Sequence, residues 1–229
     1  MIQAWIDATL SALAPLRDPA RAAPMAAYMK SVSAFLGIPA PARRAAQAAA
    51  WRGLPPLDEE SLVGVCECLW ELPEREYQYA ACDLLARNSR RLSGEFVPDV
   101  AERLLTTKPW WDTVDSLGSA AITPVVARNR ELVDLMWGWI DSGDRWLVRA
   151  AVQHQRGLKE RTDIDLLLQM CDLVASDREF FIARAVGWAL RDTAGFAPQA
   201  VQVFVDDHPG LSAVARREAL RGLARSVRP

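Results

Sequence analysis

Trp111 and Asp115 stand four residues apart in the segment Lys108-Pro109-Trp110-Trp111-Asp112-Thr113-Val114-Asp115. On a helix that spacing puts an indole and a carboxylate on one face. Both groups attract positive charge, so the pair suits a flat, cationic ligand. Adjacent tryptophans are uncommon, and the 229-residue chain has nine Trp in all. The same segment also fits a plainer arrangement, in which one Trp is core and the aspartates cap or solvate a helix.

Other chemistries are poorly supplied. With only His154 and His208 beside four cysteines, neither zinc-ligand spacing nor a disulfide framework is present. Cys66 and Cys68 form CxC rather than CxxC and read as small core residues; Cys82 and Cys171 sit in apolar helical contexts. His154 lies between Gln153 and Gln155 with no nucleophile assignable to it, which makes it structural or solvent-facing. Trp137 and Trp139 are two apart, so they face different sides of a helix and at least one belongs to the core. No P-loop, GxGxxG or HExxH occurs.

The net charge of −2 argues at first against a polyanionic partner, but the charge is unevenly spread. Residues 17–52 hold Arg17, Arg21, Lys30, Arg43, Arg44 and Arg52 against Asp18 alone. Residues 216–228 hold Arg216, Arg217, Arg221, Arg225 and Arg228 against Glu218. Local field, not net charge, steers a polyanion. No run approaches the ~20 apolar residues of a membrane span. The start, Met1 to Asp7, lacks a basic n-region and is not a secretory signal, so the cytoplasm is the expected compartment.

The elements that must position these residues are helical throughout. Segments of 10–16 residues rich in Ala, Leu, Arg and Glu are broken by Pro, Gly, Asp and Ser, with no sustained period-2 alternation. The pattern predicts helices near 2–14, 18–35, 41–52, 58–71, 74–91, 96–106, 109–118, 120–127, 130–140, 144–157, 162–175, 178–193, 197–207 and 211–226. Thr162 with Asp165, and Ser176 with Glu179, resemble N-cap starts.

An internal repeat emerges in this all-α pattern. Glu74-Arg75-Glu76-Tyr77, Asp144-Arg145-Trp146 and Asp177-Arg178-Glu179-Phe180 each lead into an Ala-rich turn, and Thr107 opens the same frame ahead of Trp111. The frame starts are spaced by 33, 37 and 33 residues, a period typical of helix pairs stacked as a right-handed α-solenoid of HEAT type over the single domain 1–229. Counted from those starts, Trp111, Asp115, Arg149 and Trp188 fall at offsets 4, 8, 5 and 11, one helical stripe. Such a stripe lines either a groove or the inter-helix core. Core stripes rarely carry Asp and Arg unless these pair, and an internal Asp115–Arg149 pair is the other possibility.

These residues resemble the AlkD family of bacterial DNA alkylation repair enzymes. The Lys108–Asp115 segment is similar to the family signature, and four further segments agree in order and spacing: Pro24–Lys30, Phe35–Ile38, Leu69–Glu76 and Phe180–Arg191. The resemblance runs from about residue 20 to past 220. It implies a HEAT-like solenoid whose concave groove cradles duplex DNA and a monomeric, monofunctional glycosylase that releases cationic N3- or N7-alkylated purines. Carried over by position, Asp115 is the catalytic carboxylate, Trp111 and Trp188 flank the lesion's deoxyribose, and Arg149, Tyr28 and Arg191 contact DNA. The resemblance further implies that the modified base stays in the stack and that no metal or cofactor is needed. Two departures stand out: Pro39 follows the Phe35–Ile38 segment where relatives carry a polar side chain, and lysine is scarce, Gly157 and Leu158 following Arg156. A specialised enzyme for bulky natural-product adducts and a non-catalytic DNA-binding paralogue are the alternative readings. A protein–protein scaffold is the third, against which the carboxylate-and-indole stripe speaks.

Overall fold

The computed structural model describes residues 1–226; Arg228, counted above in the basic C-terminal run, lies outside them. Among the described residues every regular element is helical, and the one β-type contact is an isolated parallel bridge between Ala34 and Glu74. Packing divides the chain into two compact units, Met1–Val125 and Val126–Pro229.

The first unit holds α1 (Ile2–Leu13), α2 (Pro19–Tyr28), α3 (Ala40–Ala50), α4 (Glu59–Glu71), α5 (Arg75–Asn88), α6 (Glu102–Thr106) and α7 (Trp111–Leu117); α8 (Thr123–Val126) ends at its boundary. Local chemistry sets the starts. Asp18 accepts hydrogen bonds from the Ala20 and Arg21 amides, with Pro19 at the first helical position of α2. Asp58 caps α4 through the Ser61 amide, and Glu59 and Glu60 complement the helix dipole in its first turn. Helix α2 stops well short of the predicted residue 35, because Lys30 and Ser31 take left-handed φ values of 60° and 55° and turn the chain away. Two predicted helices, 96–106 and 120–127, begin instead as wide π-type turns, Val97–Ala101 and Gly118–Ile122. The second of these follows α7 directly and packs on α5.

Apolar residues at i, i+3, i+4 and i+7 of α4 (Leu62, Val65, Cys66, Leu69) meet Ala80, Ala81, Leu84 and Leu85 of α5 to form the core. Each leucine so buried contributes roughly 1.5–3 kcal/mol relative to exposure. Cys68, expected inside with Cys66, is exposed because its position two residues on points it to the opposite face of α4.

The second unit holds α9 (Val133–Asp141), α10 (Arg145–Val152), α11 (Ile164–Leu173), α12 (Phe180–Thr193), α13 (Pro198–Asp207) and α14 (Ala213–Ser226). Here two caps differ from expectation. Asp163 rather than Thr162 caps α11 through the Leu166 amide, and Glu179 rather than Ser176 caps α12 through the Phe181 and Ile182 amides. In each case a carboxylate closer to the orphan N–H groups takes them first. Trp139 is buried and Trp137 half-buried, in keeping with their opposite sides of α9.

Within each unit the helices stack pairwise. In the first, α4 packs on α5, α3 on α5, and α5 on α7; in the second, α9 packs on α10, α10 on α12, and α12 on α14. The second helix of one pair thus rests on the second helix of the next, the stacking of a helix-pair repeat. The repeat frame is visible in the caps: Glu74 and Asp144 are the N-caps of α5 and α10, while Trp110 and Glu179 cap α7 and α12 a few residues beyond the frame starts 107 and 177.

Candidate functional site

In the first unit the motif segments are one another's binding partners. Arg75, 1% exposed at the start of α5, reaches the first turn of α7. Its Nε donates to Asp112 Oδ2 at 3.0 Å and its Nη2 to Asp112 Oδ1 at 2.7 Å. Nη2 also donates to the Thr113 hydroxyl, and Nη1 to Gln78 Oε1 and the Lys108 carbonyl. All five guanidinium N–H groups are therefore engaged. The Tyr79 hydroxyl donates to Asp112 as well, and burial together with the Asp112 charge pushes its pKa up, so it stays a donor.

The loop before α7 is fixed from the same place. Trp70 Nε1 donates to the Thr107 carbonyl at 2.9 Å, and Lys108 Nζ donates to the carbonyls of Trp70 and Glu71 at 3.1 and 2.6 Å. Lys108 thus caps the C-terminal end of α4 and favours the negative pole there. Its backbone takes φ 51°, a strained value that the surrounding bonds hold in place.

Glu76 performs a parallel task on the other side of the turn. Fully buried, its carboxylate accepts the amides of Leu36, Gly37 and Ile38 at 2.8, 2.9 and 3.1 Å. Arg75 N donates to the Ala34 carbonyl and Asp18 N to the Leu36 carbonyl, which closes the loop against α2. Gly37 has φ +86°, and a Cβ there would lie 2.1 Å from the Asp18 carbonyl oxygen, so only glycine fits.

Against this scaffold, Asp112 is the internal carboxylate of α7. Asp115, three residues on, is half-buried, as is Trp111 one turn before it. Sequence reasoning singled out Trp111 and Asp115 and missed the support given by Arg75, Glu76, Gln78 and Tyr79. The available signal was the charged run Glu74-Arg75-Glu76 opening a helix that is otherwise largely buried. Tyr28 stands apart as the last residue of α2, 74% exposed.

In the second unit Trp188 is the centre of a guanidinium cluster. The Cζ atoms of Arg149, Arg156, Arg184 and Arg191 lie 5.2, 5.0, 5.1 and 5.6 Å from its ring centroid. Its Nε1 is buried with no hydrogen-bond partner among the described residues, so the indole is held by its ring and not by its N–H. Arg149 is buried and donates from Nη1 to the Phe181 carbonyl at 2.7 Å. Arg191 is half-buried and donates from Nη1 to Glu218 Oε2 at 2.8 Å. A pocket of about 290 Å³ opens beside the indole, walled by Val152, Gln153, Arg156, Trp188, Thr193 and Phe196. The structure therefore brings Arg149, Trp188 and Arg191 together in this unit, and Trp111 with Asp115 in the first.

The remaining candidates are structural. His154 is 3% exposed with Nδ1 2.6 Å from the Ala151 carbonyl, and burial lowers its pKa. Burial pushes the thiols of Cys66, Cys82 and Cys171 up, the last two to about 12, so they remain neutral. Among the described residues no group of three or more His, Cys, Asp or Glu is placed to hold a metal ion, and no helix is long and apolar enough to cross a membrane.

The architecture is that of an all-α protein built from stacked helix pairs. Its sequence makes the assignment specific: residues 9–223 match the profile of the DNA alkylation repair enzymes, and the chain belongs to that family. A solved structure described as a predicted DNA alkylation repair enzyme from Enterococcus faecalis superposes with a TM-score of 0.82 at 34% identity, covering 91% of this chain and 97% of that one. A search of curated proteins finds no match.

Proposed function

We propose that the protein is a monofunctional glycosylase that hydrolyses the N-glycosidic bond of cationic N3- or N7-alkylated purines in duplex DNA. The observation that carries this reading is the division of labour on α7. Asp112 is consumed by Arg75 and Tyr79, which fixes the register of the helix, while Asp115 and Trp111 share a half-buried face.

A purine alkylated at N3 or N7 already carries positive charge and leaves without a general acid. As the C1′–N bond breaks, its electron pair neutralises the base and charge develops on the sugar. Asp115 stabilises that oxocarbenium-like sugar and accepts a proton from the water whose oxygen bonds to C1′. Trp111 offers a π-face to the same cation and keeps bulk water away from the carboxylate. On this reading Tyr28, Arg149 and Arg191 serve the DNA backbone, Arg149 through its charge beneath Trp188, and Trp188 lies against a backbone sugar. The modified base stays in the stack, and the product is an abasic site.

Release of free 7-methylguanine from methylated duplex, wild type beside Asp115→Asn, tests the proposal. Release by wild type and its loss in the variant support it. Neither 7-methylguanine nor 3-methyladenine released by wild type rules out simple methylpurines. The pocket beside Trp188 favours a second reading in that event, a substrate with a bulky adduct, for which the same pair of proteins is assayed on duplex carrying one.

A further inference from the structure

The guanidinium cluster of the second unit has an internal counter-ion that the proposed chemistry does not use. Glu218, on α14, is 2% exposed. Its Oε2 takes Arg191 Nη1 at 2.8 Å, its Oε1 takes Arg221 Nη1 at 2.8 Å, and Arg184 Nη1 lies 3.8 Å from Oε1. Arg184, Trp188 and Arg191 are at i, i+4 and i+7 of α12 and so share one face. Two of the three arginines that Glu218 holds therefore stand on either side of the indole.

A buried carboxylate is a costly way to join two helices, and apolar side chains such as Ala215 and Ala219 would serve for packing alone. The helices are also brought unusually close just where Glu218 enters. A Cβ at Gly187, next to Trp188, would lie 2.9 Å from Glu218 Cβ and 3.0 Å from Ala215 Cα. That approach delivers the carboxylate between Arg184 and Arg191, while Asp192, 3.5 Å from Arg191 Nε, steadies the second guanidinium from its own helix. Arginine loses much side-chain freedom when it grips a phosphate, and a guanidinium held beforehand loses less.

We infer that Glu218 is a positioning residue, which holds Arg184 and Arg191 against Trp188 in the arrangement that receives phosphates of the DNA backbone. The inference rests on the DNA-directed reading above, and its sign separates it from simple electrostatics. Removing a carboxylate makes the protein more positive, which by counterion release alone tightens binding to DNA. Loss of positioning weakens it.

The test is the affinity for a fluorescein-labelled duplex at fixed salt, measured for wild type, Glu218→Gln, Arg191→Gln and the double variant, with a thermal melt of each. We expect Glu218→Gln to weaken binding about tenfold and to add little in the Arg191→Gln background, since residues acting through one contact are not additive. Binding that is unchanged or tighter in Glu218→Gln, or an equal loss in both backgrounds, overturns the inference. If Glu218→Gln does not fold, Glu218→Asp, which keeps the charge and shortens its reach, takes its place in the same cycle. Release of 7-methylguanine by wild type is followed in parallel. No release of 7-methylguanine with a non-additive cycle counts against that substrate and leaves Glu218 in its role; release with an additive cycle does the reverse.

Discussion

Arg75 closes on Asp112 with two parallel N–H···O bonds of 3.0 and 2.7 Å, and this pair sets Asp112 apart from Asp115, three residues on along α7. Asp112 is 7% exposed and committed to holding the helix. Asp115 belongs to the half-buried face with Trp111.

The two aspartates should therefore respond in opposite ways to the same substitution. Asp112→Asn leaves Arg75 buried against a neutral group and is expected to cost about 3–5 kcal/mol in urea denaturation. Asp115→Asn is expected to destabilise the fold less than Asp112→Asn does while lowering base release by about 10²–10³-fold. If Asp115→Asn unfolds as readily as Asp112→Asn, the proposed assignment of roles is wrong.

The loop under Glu76 has a similarly sharp requirement. Gly37→Ala combines φ +86° with a Cβ 2.1 Å from the Asp18 carbonyl, and should cost at least about 2 kcal/mol. Glu76→Gln keeps the shape but points a donor at one of three backbone amides, for an expected loss of about 1–3 kcal/mol. Denaturation midpoints of both variants at neutral pH check this, and a stable Gly37→Ala protein would mean the loop can move away from α2.

A pH dependence follows from His208. Its burial disfavours the charged ring, but the Asp172 hydrogen bond at 2.7 Å, the Phe204 carbonyl and the charges of Asp172 and Asp207 outweigh that and raise its pKa above 6.5. The stability it contributes is full below pH 6.5 and is lost as pH rises through the folded-state value. His154 acts with the opposite sign, since its lowered pKa favours the unfolded state as pH falls below 6.5. The difference between wild type and Asp172→Asn isolates the first effect. The stabilisation of wild type over the variant should shrink as pH rises past 6.5 through the raised folded-state value, and a difference that stays constant from below pH 6.5 upward would dismiss the His208–Asp172 contact as a titrating one.

Helical periodicity and the Glu74 and Asp144 frame starts foretold the stacked pairs, because apolar spacing and capping are local signals. The pairing of Trp111 with Asp115 was equally legible, being a matter of four residues on one helix. What escaped was long-range: nothing local says that Arg75 reaches residue 112 or that Glu76 binds amides at 36–38. The basic character of the C-terminal segment was legible, yet Glu218, counted there only as its lone acid, is the buried centre that three arginines address. Capping was misread at Thr162 and Ser176 because a hydroxyl and a nearby carboxylate compete for the same amides, and only the backbone path decides.

The turn from Trp70 to Glu76 ties segments 33 to 40 residues distant, through Lys108, Asp112 and Thr113 on one side and Leu36, Gly37 and Ile38 on the other. No one of these loops can leave without exposing a charge that the turn has already desolvated. Their backbone amides should accordingly exchange with solvent as a single cooperative block, with shared opening free energies across 34–38, 70–79 and 107–113. Hydrogen exchange would then find the loop leading to Trp110 and Trp111 as slow as the helices that hold it, although loops are ordinarily the first parts of a protein to open.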